Sequence, residues 1–370
     1  MIKNSRLQKY NQVKNRYKGA IIIHPIMTGG LVPKEVQRRL YEENWTGIGY
    51  SLCFDCLEGR SSLISKPPVR SFLNDIAEFF GGDVAEHTFG CRAAQFAVMK
   101  TISDYVRREG AKDYANIVLA DPLCHYTTAI AAEAAGLQLT EVSHSGYPEY
   151  KVEALSFHQK IEEIKSETGK LPGLIVVTHV EPYYGNLNPA EEVGKISKEY
   201  GIPYMVNAAY TAGVMPVNMR DLQADFLTVS AHKSMASLGP LGFLVTNFEW
   251  SKRVFETSRI AMDWSGRSFG NKIQNIFGCS IGGIPLISAM YSFPYVADRV
   301  NRWEEELKKT RWFIQEMEKL DDVMLIGERP HRHHLLHFET PIFWEISKRH
   351  KRRGFFLAEE MIKLGIVGLH

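Results

Sequence analysis

LIVVTHV at residues 174–180, a helix-patterned segment over 189–200 and YMVN at 204–207 together decide the fold. The two apolar runs are short and largely β-branched, with no polar alternation, so they read as strands buried on both faces. The segment between them is amphipathic at helical spacing and is halted by Gly201 and Pro203. Outward from this unit, IVLA (117–120), FLTVS (226–230) and GFLVT (242–246) repeat the strand pattern, and residues 127–136 repeat the helical one. This alternation predicts an α/β fold with a mostly parallel central sheet and helices on both faces. In such sheets ligands collect at the carboxyl ends of the strands.

The rest of the chain divides around that sheet. Residues 1–60 form a basic N-terminal segment containing a C-x₂-C pair, and residues 61–285 a large domain. Residues 286–370 read as a smaller C-terminal α/β domain: a long amphipathic helical stretch over 286–320 with a kink expected at Pro294, then strand VMLIG and helix FFLAEEMIKLG. At 370 residues, 45 % hydrophobic and 23 % charged, with net charge +2, the composition is that of a globular protein and not of a disordered chain or a polycation. No run of 18 apolar residues occurs, and the N-terminus lacks a signal-type apolar core. Five cysteines, few and odd in number, argue against a disulfide scaffold and for a reducing cytoplasm. Two clusters are basic: residues 1–40, and Lys348 to Arg353. They read either as solvated surface or as contacts for a phosphate-rich partner such as RNA, and composition alone does not choose.

The chemistry concentrates in SAHKSMASLGP, residues 230–240. Lys233 follows a strand, with Ser230, Ala231 and His232 beside it, and a partly desolvated lysine there can condense with an aldehyde. Asn207 ends the strand before it. Gly90, Cys91 and Arg92 open a helical stretch whose first N–H groups suit a phosphate. His125 follows strand IVLADP, where an imidazole can lie flat against a planar ring. Each feature alone is commonplace, since most such lysines, glycines and histidines are structural. Their order resembles that of the fold-type-I pyridoxal-phosphate enzymes, with a phosphate cradle, a stacking histidine, a residue at the ring nitrogen and a cofactor lysine.

A closer resemblance rests on ordered motifs: TGGLVPKEV, GYSLCFDC, KPPVRSFLNDIAEF, HYTTAIAAEAAGL, HSGYPEYK, THVEPYYGNL, NAAYTAGVMPVN, AHKSMAS, FGCSIGG and KRRGFF. From about residue 22 onward the chain resembles the archaeal Sep-tRNA:Cys-tRNA synthase family. That resemblance implies a homodimeric transferase with pyridoxal phosphate, acting on tRNA(Cys) charged with phosphoserine by a partner phosphoseryl-tRNA synthetase. Lys233 would hold the cofactor and remove the Cα proton, phosphate would leave Cβ, and sulfur would add. The cofactor-binding set implied is Cys91, Arg92, His125, Asn207, Ser230, Ala231, His232 and Lys233. Asn207 stands where most relatives of the fold place Asp and does not hold the ring nitrogen protonated as a carboxylate would. Arg92 is shaped for the leaving phosphate.

Cys53 and Cys56 can hold a soft metal, an iron–sulfur cluster or a persulfide. The resemblance adds Cys279 as a third member and links the three to sulfur delivery. Cys91 and Cys124 read as buried thiols. The chain departs from the family pattern at Glu86, Phe89, Ala93 and Gln95, and at His24 and Met27. Family chains run past GIVGLH by roughly one strand and one helix, so the C-terminal domain reads as truncated. Two other functions fit the same residues: a cysteine-desulfurase-like or β-eliminating lyase on a free amino acid, and a catalytically silent tRNA-binding paralogue.

Overall fold

The structure, a computed structural model, describes residues 19–24, 29–45, 51–52, 67–255, 261–262, 267–268 and 281–368. Its centre is a seven-stranded sheet: β1 (Val84–Thr88), β2 (Tyr114–Ala120), β3 (Gln138–Glu141), β4 (Leu171–Thr178), β5 (Tyr204–Asn207), β6 (Phe226–Val229) and β7 (Gly242–Thr246). The spatial order is β1-β7-β6-β5-β4-β2-β3. All pairings from β6 through β3 are parallel, and β7 alone runs against its two neighbours. The mostly parallel sheet expected from the sequence is therefore present, with polar-bearing edge strands β1 and β3 added to it.

Side chains of β4 explain why its sequence is an unbroken apolar run. Ile175 and Val177 enter the core on one face, beside Phe157, Ile161 and Val206, while Leu174 and Val176 enter the core on the other, beside Val98, Ile102 and Met205. Strand geometry sends alternate residues to opposite faces, and both faces are covered.

Among the described residues the helices are α1 (Lys34–Glu42), α2 (Val69–Phe79), α3 (Cys91–Arg108), α4 (Tyr126–Ala134), α5 (Ala154–Thr168), α6 (Ala190–Tyr200), the short α7 (Ala231–Ser234), α8 (Phe248–Val254), α9 (Gly283–Asn301), α10 (Trp303–Met317), α11 (Pro341–Arg349) and α12 (Ala358–Lys363). The expected kink at Pro294 does not divide the long C-terminal stretch. α9 runs through Pro294, and the chain breaks instead at Arg302. Pro294 sits on the exposed side of α9, where the chief loss is one main-chain N–H.

Smaller pairings knit the ends of the chain. Met324–Ile326 pairs antiparallel with His337–Glu339, and Ile21–Ile22 pairs parallel with Ile366–Val367. The residues just before α1 thus join the C-terminal unit, while α1 lies on α9, with the Arg39 guanidinium 3.7 Å over the Tyr291 ring. The basic cluster from Lys348 to Arg353 is exposed, with Lys348 paired to Glu345 and Arg352 to Glu359. No helix among the described residues is long and apolar enough to cross a membrane.

Candidate active site

A cavity of about 360 Å³ opens at the carboxyl ends of β4, β5 and β6. Four successive turns supply its walls. The strand β1 leads through Gly90 into α3, β2 leads through His125 into α4, β5 ends on Asn207, and β6 leads through Ser230 into α7. Of the eight cofactor-binding residues inferred from the sequence, Cys91, Arg92, His125, Asn207, Ser230, His232 and Lys233 line this cavity. Ala231 does not, because its side chain is fully buried in the core. Cys53, Cys56 and Cys279 lie outside the described residues.

The Gly90 turn is built for close approach. Gly90 adopts φ +85, which favours glycine, and a Cβ there would sit 3.1 Å from His232 Cε1. Beneath it, a Cβ on Gly242 would fall 2.5 Å from the Gly90 carbonyl carbon. α3 has no side-chain cap, and Ala94 N–H is the first to return to the Gly90 carbonyl, at 3.3 Å. The preceding N–H groups, at Cys91 and Arg92 on the cavity wall, form the positive end of an 18-residue helix.

Lys233 projects from the first turn after β6. Its Nζ lies 3.2 Å from the Tyr210 hydroxyl and 4.5 Å from the centre of the Tyr210 ring. Asn207 ends β5 next to it. The Asn207 Oδ1 accepts from Ala209 N–H at 3.1 Å and from the Cys91 thiol at 3.1 Å, which leaves the amide NH₂ as its remaining donor. Cys91 in turn accepts from Gln95 Nε2 at 3.5 Å, and Gln95 Oε1 accepts from Thr128 at 2.8 Å. Gln95 thus anchors the thiol below Asn207. Burial pushes the Cys91 thiol up, so it stays a neutral donor. Cys124 is likewise a buried free thiol, as read from the sequence. Glu86 is buried and accepts a hydrogen bond from Arg70 at 2.9 Å.

His125 is the N-cap of α4. Its Nδ1 faces the Thr127 main-chain N–H at 3.3 Å and the Thr127 hydroxyl at 2.9 Å, which orients the ring at the cavity. Burial lowers its pKa to about 4, helped by the nearby Lys233 and Arg92 charges, so the imidazole is neutral at pH 7.

These residues fit a phosphorylated aldehyde cofactor. Among the described residues, no carboxylate lines the cavity, while Lys233 and Arg92 do. Ser230 Oγ is buried on its wall with no hydrogen-bond partner among the described residues, a costly state unless a ligand satisfies it, and Thr178 lines the wall beside the buried Asp121 carboxyl. A lysine amine, the free Ser230 hydroxyl and an open helix terminus in one anion-friendly cavity match what pyridoxal phosphate needs. Thr178 and Tyr210 were not singled out from the sequence, and Gln95 was named there only as a departure from the expected family pattern. Tyr210 follows Asn207 by three residues within NAAYTAGVMPVN, and that spacing was its available signal.

Comparisons with known proteins agree with this geometry. The aminotransferase class-V family matches residues 149–343. With the sheet order and the lysine-bearing turn, it makes this a pyridoxal-phosphate enzyme of fold type I. The chain is 45 % identical over 364 residues to O-phospho-L-seryl-tRNA:Cys-tRNA synthase 2 of Archaeoglobus fulgidus, covering 98 % of this chain and 90 % of the relative. It is 43 % identical to O-phospho-L-seryl-tRNA:Cys-tRNA synthase of Methanopyrus kandleri, with the same coverage of both chains. A crystal structure of a SepCysS–SepCysE N-terminal domain complex superposes with a TM-score of 0.81 at 40 % identity, covering 98 % of this chain and 90 % of that one. A cysteine desulfurase of Thermococcus onnurineus NA1, at 20 % identity, TM-score 0.66 and coverage of 95 % and 84 %, shares the fold. The chain belongs to the O-phospho-L-seryl-tRNA:Cys-tRNA synthase family.

Proposed function

We propose that this chain converts O-phospho-L-seryl-tRNA(Cys) to L-cysteinyl-tRNA(Cys). The observation that carries the reading is the cationic, carboxylate-free cavity around Lys233 in a chain 45 % identical to a synthase of that name. Pyridoxal phosphate supplies the electron sink that lets the Cα proton leave. Everything else falls to the protein. The Cys91 and Arg92 N–H groups, with Ser230 and His232, would hold the cofactor phosphate at the Gly90 turn. His125 covers the ring, and the Asn207 NH₂ donates to the ring nitrogen without protonating it. Lys233 takes the Cα proton and returns it. Arg92 receives the substrate phosphate, which departs from Cβ with the bonding electron pair after the Cα proton is removed, and sulfide then adds to Cβ as the proton returns to Cα. Cys53, Cys56 and Cys279 are assigned to sulfur delivery, either on an iron–sulfur cluster or as a persulfide whose outer sulfur adds to Cβ and is freed when a second thiol of the three takes the inner sulfur as a disulfide, which an external thiol reductant then opens.

An esterified substrate suits the supply of charge. Among the described residues, Arg92 is the one guanidinium lining the cavity, and the phosphate claims it. In the C-terminal unit Arg329 is engaged with Glu318 and Arg332 with Glu328, so neither is free to clamp an α-carboxylate. A lyase acting on a free amino acid is therefore disfavoured, as is a silent subunit that retains Lys233, Asn207 and His125 together. The reading places the protein in the cytoplasm as a homodimer, supplied by a phosphoseryl-tRNA synthetase. The test is incubation with phosphoseryl-tRNA(Cys) and sulfide. Cysteinyl-tRNA(Cys) is the expected product, and turnover of free O-phosphoserine but not of the charged tRNA would sink the proposal.

A further inference from the structure

A buried or half-buried guanidinium ordinarily finds a carboxylate, and Arg299 of α9 finds none among the described residues. It is partly buried, and all of its hydrogen bonds go to main-chain carbonyls: Gly213 from Nε at 3.0 Å and again from Nη2, Gly29 from Nη1, and Ser234 from Nη2 at 2.6 Å. Burial lowers its pKa to about 10. Glu306 lends it some countering charge, but no carboxylate among the described residues pairs with it directly, and holding a desolvated cation on carbonyls alone costs free energy, so the contact needs a reason beyond packing.

The three carbonyls share one location. Ser234 closes the short turn that carries Lys233, and the end of any such turn leaves carbonyls without partners. Arg299 satisfies that of Ser234, and the Gly29 N–H satisfies that of Lys233 itself at 2.8 Å. Both glycines are required by proximity. A Cβ on Gly29 would fall 2.2 Å from the Ser234 carbonyl carbon. Gly213, at φ +77, would place a Cβ 2.8 Å from Met235 Cγ and 3.2 Å from the Ser234 oxygen. Three remote segments thus meet on the main chain of residues 233–235: the TGG motif, the loop after Tyr210, and α9.

We infer that Arg299 is a positioning residue for Lys233, fixing the lysine-bearing turn through the Ser234 carbonyl and latching Gly29 to it. Arg299 does not touch the cavity; it acts by removing freedom from the main chain on which the amine is mounted. The inference rests on the assignment of Lys233 as the cofactor lysine. It also gives TGG a task, that of joining the N-terminal segment to the catalytic turn.

The test uses the holoenzyme with Arg299→Met, Arg299→Lys and Gly29→Ala, and Ile161→Val as a core control. Three quantities are read: the rate at which bound pyridoxal phosphate is lost, the pH midpoint of its visible band, and amide exchange across residues 29–33 and 230–237. Arg299→Met and Gly29→Ala should each speed cofactor loss by about tenfold, the effect expected for one charge-assisted hydrogen bond. Both should move the band midpoint and raise exchange in those two stretches. Arg299→Lys, which keeps the charge but not the fork, should fall between and covers the case in which the methionine variant fails to fold. Unchanged cofactor loss and band midpoint in Arg299→Lys and Gly29→Ala, with only a lowered melting temperature as in Ile161→Val, would overturn the inference while leaving Lys233 intact. A wild-type protein without a lysine-bound band would overturn both.

Discussion

The Lys233 Nζ and the Tyr210 hydroxyl are 3.2 Å apart, and the amine also sits 4.5 Å from the centre of the Tyr210 ring. The hydroxyl accepts a hydrogen bond from the amine, and the ring face lies beside it at cation–π distance. Tyr210→Phe keeps the ring and removes the hydroxyl. Turnover should fall by about tenfold, the worth of one such hydrogen bond, and the pH midpoint of the cofactor band should move. A spectrophotometric titration of both proteins checks this; superimposable curves would show that the hydroxyl is idle.

His125 should act as a neutral ring throughout the working range. Its pKa is lowered to about 4 by burial, with Lys233 and Arg92 adding to the effect. His125→Phe preserves a flat ring, so cofactor binding should be largely retained, whereas His125→Ala should lose it by about tenfold or more. Neither variant should remove an inflection from the pH–rate profile between pH 5 and pH 8. An inflection near the ordinary histidine pKa that vanishes in His125→Phe would contradict the assignment.

Much of this arrangement was legible in the sequence, for physical reasons. The runs at 174–178, 204–207 and 226–229 are interior strands buried on both faces, so nearly every residue in them is apolar and the pattern is loud. β1 and β3 are edge strands carrying Glu86, His87, Gln138 and Thr140, and their short mixed patterns do not separate from loop. Lys233, Asn207 and His125 stood out because each directly follows or ends a readable strand. Tyr210 and Thr178 did not, and the contact of Gln95 with the Cys91 thiol was not foreseen, since their importance comes from which residues the fold sets opposite them. The helix break at Arg302 was missed in favour of Pro294 because proline is a strong local signal, whereas an exposed proline in a long helix is tolerated.

Stability should decline steeply in mild acid. His87, His125, His179 and His334 have pKa values lowered to about 4, and His331 and His333 are lowered as well, all chiefly by burial. Against an ordinary value of 6.5, the unfolded chain binds more protons at these six sites between pH 6.5 and pH 4, so stability is lost as pH falls through that window. Asp121, raised to about 7 by burial, acts oppositely, as do the raised carboxyls of Glu86 and Glu181. Six histidines outweigh three carboxyls. Melting temperature measured from pH 7 to pH 4 should drop throughout, and His179→Gln should make the slope shallower. A flat profile would contradict the burial of these rings.

Cys279→Ser should abolish sulfur transfer from a protein-bound donor and leave cofactor absorbance unchanged. Under saturating free sulfide, the same variant should regain a substantial part of its turnover. Product formation at wild-type level without added sulfide would remove Cys279 from the sulfur path.

The most direct test of the account is the absorbance spectrum of purified, cofactor-loaded protein before and after borohydride, alongside Lys233→Ala. The account predicts a visible band that reduction bleaches, a cofactor mass fixed on the peptide containing Lys233, and neither signal in the variant. A band that persists in Lys233→Ala, or a reduced adduct on another lysine, would contradict it.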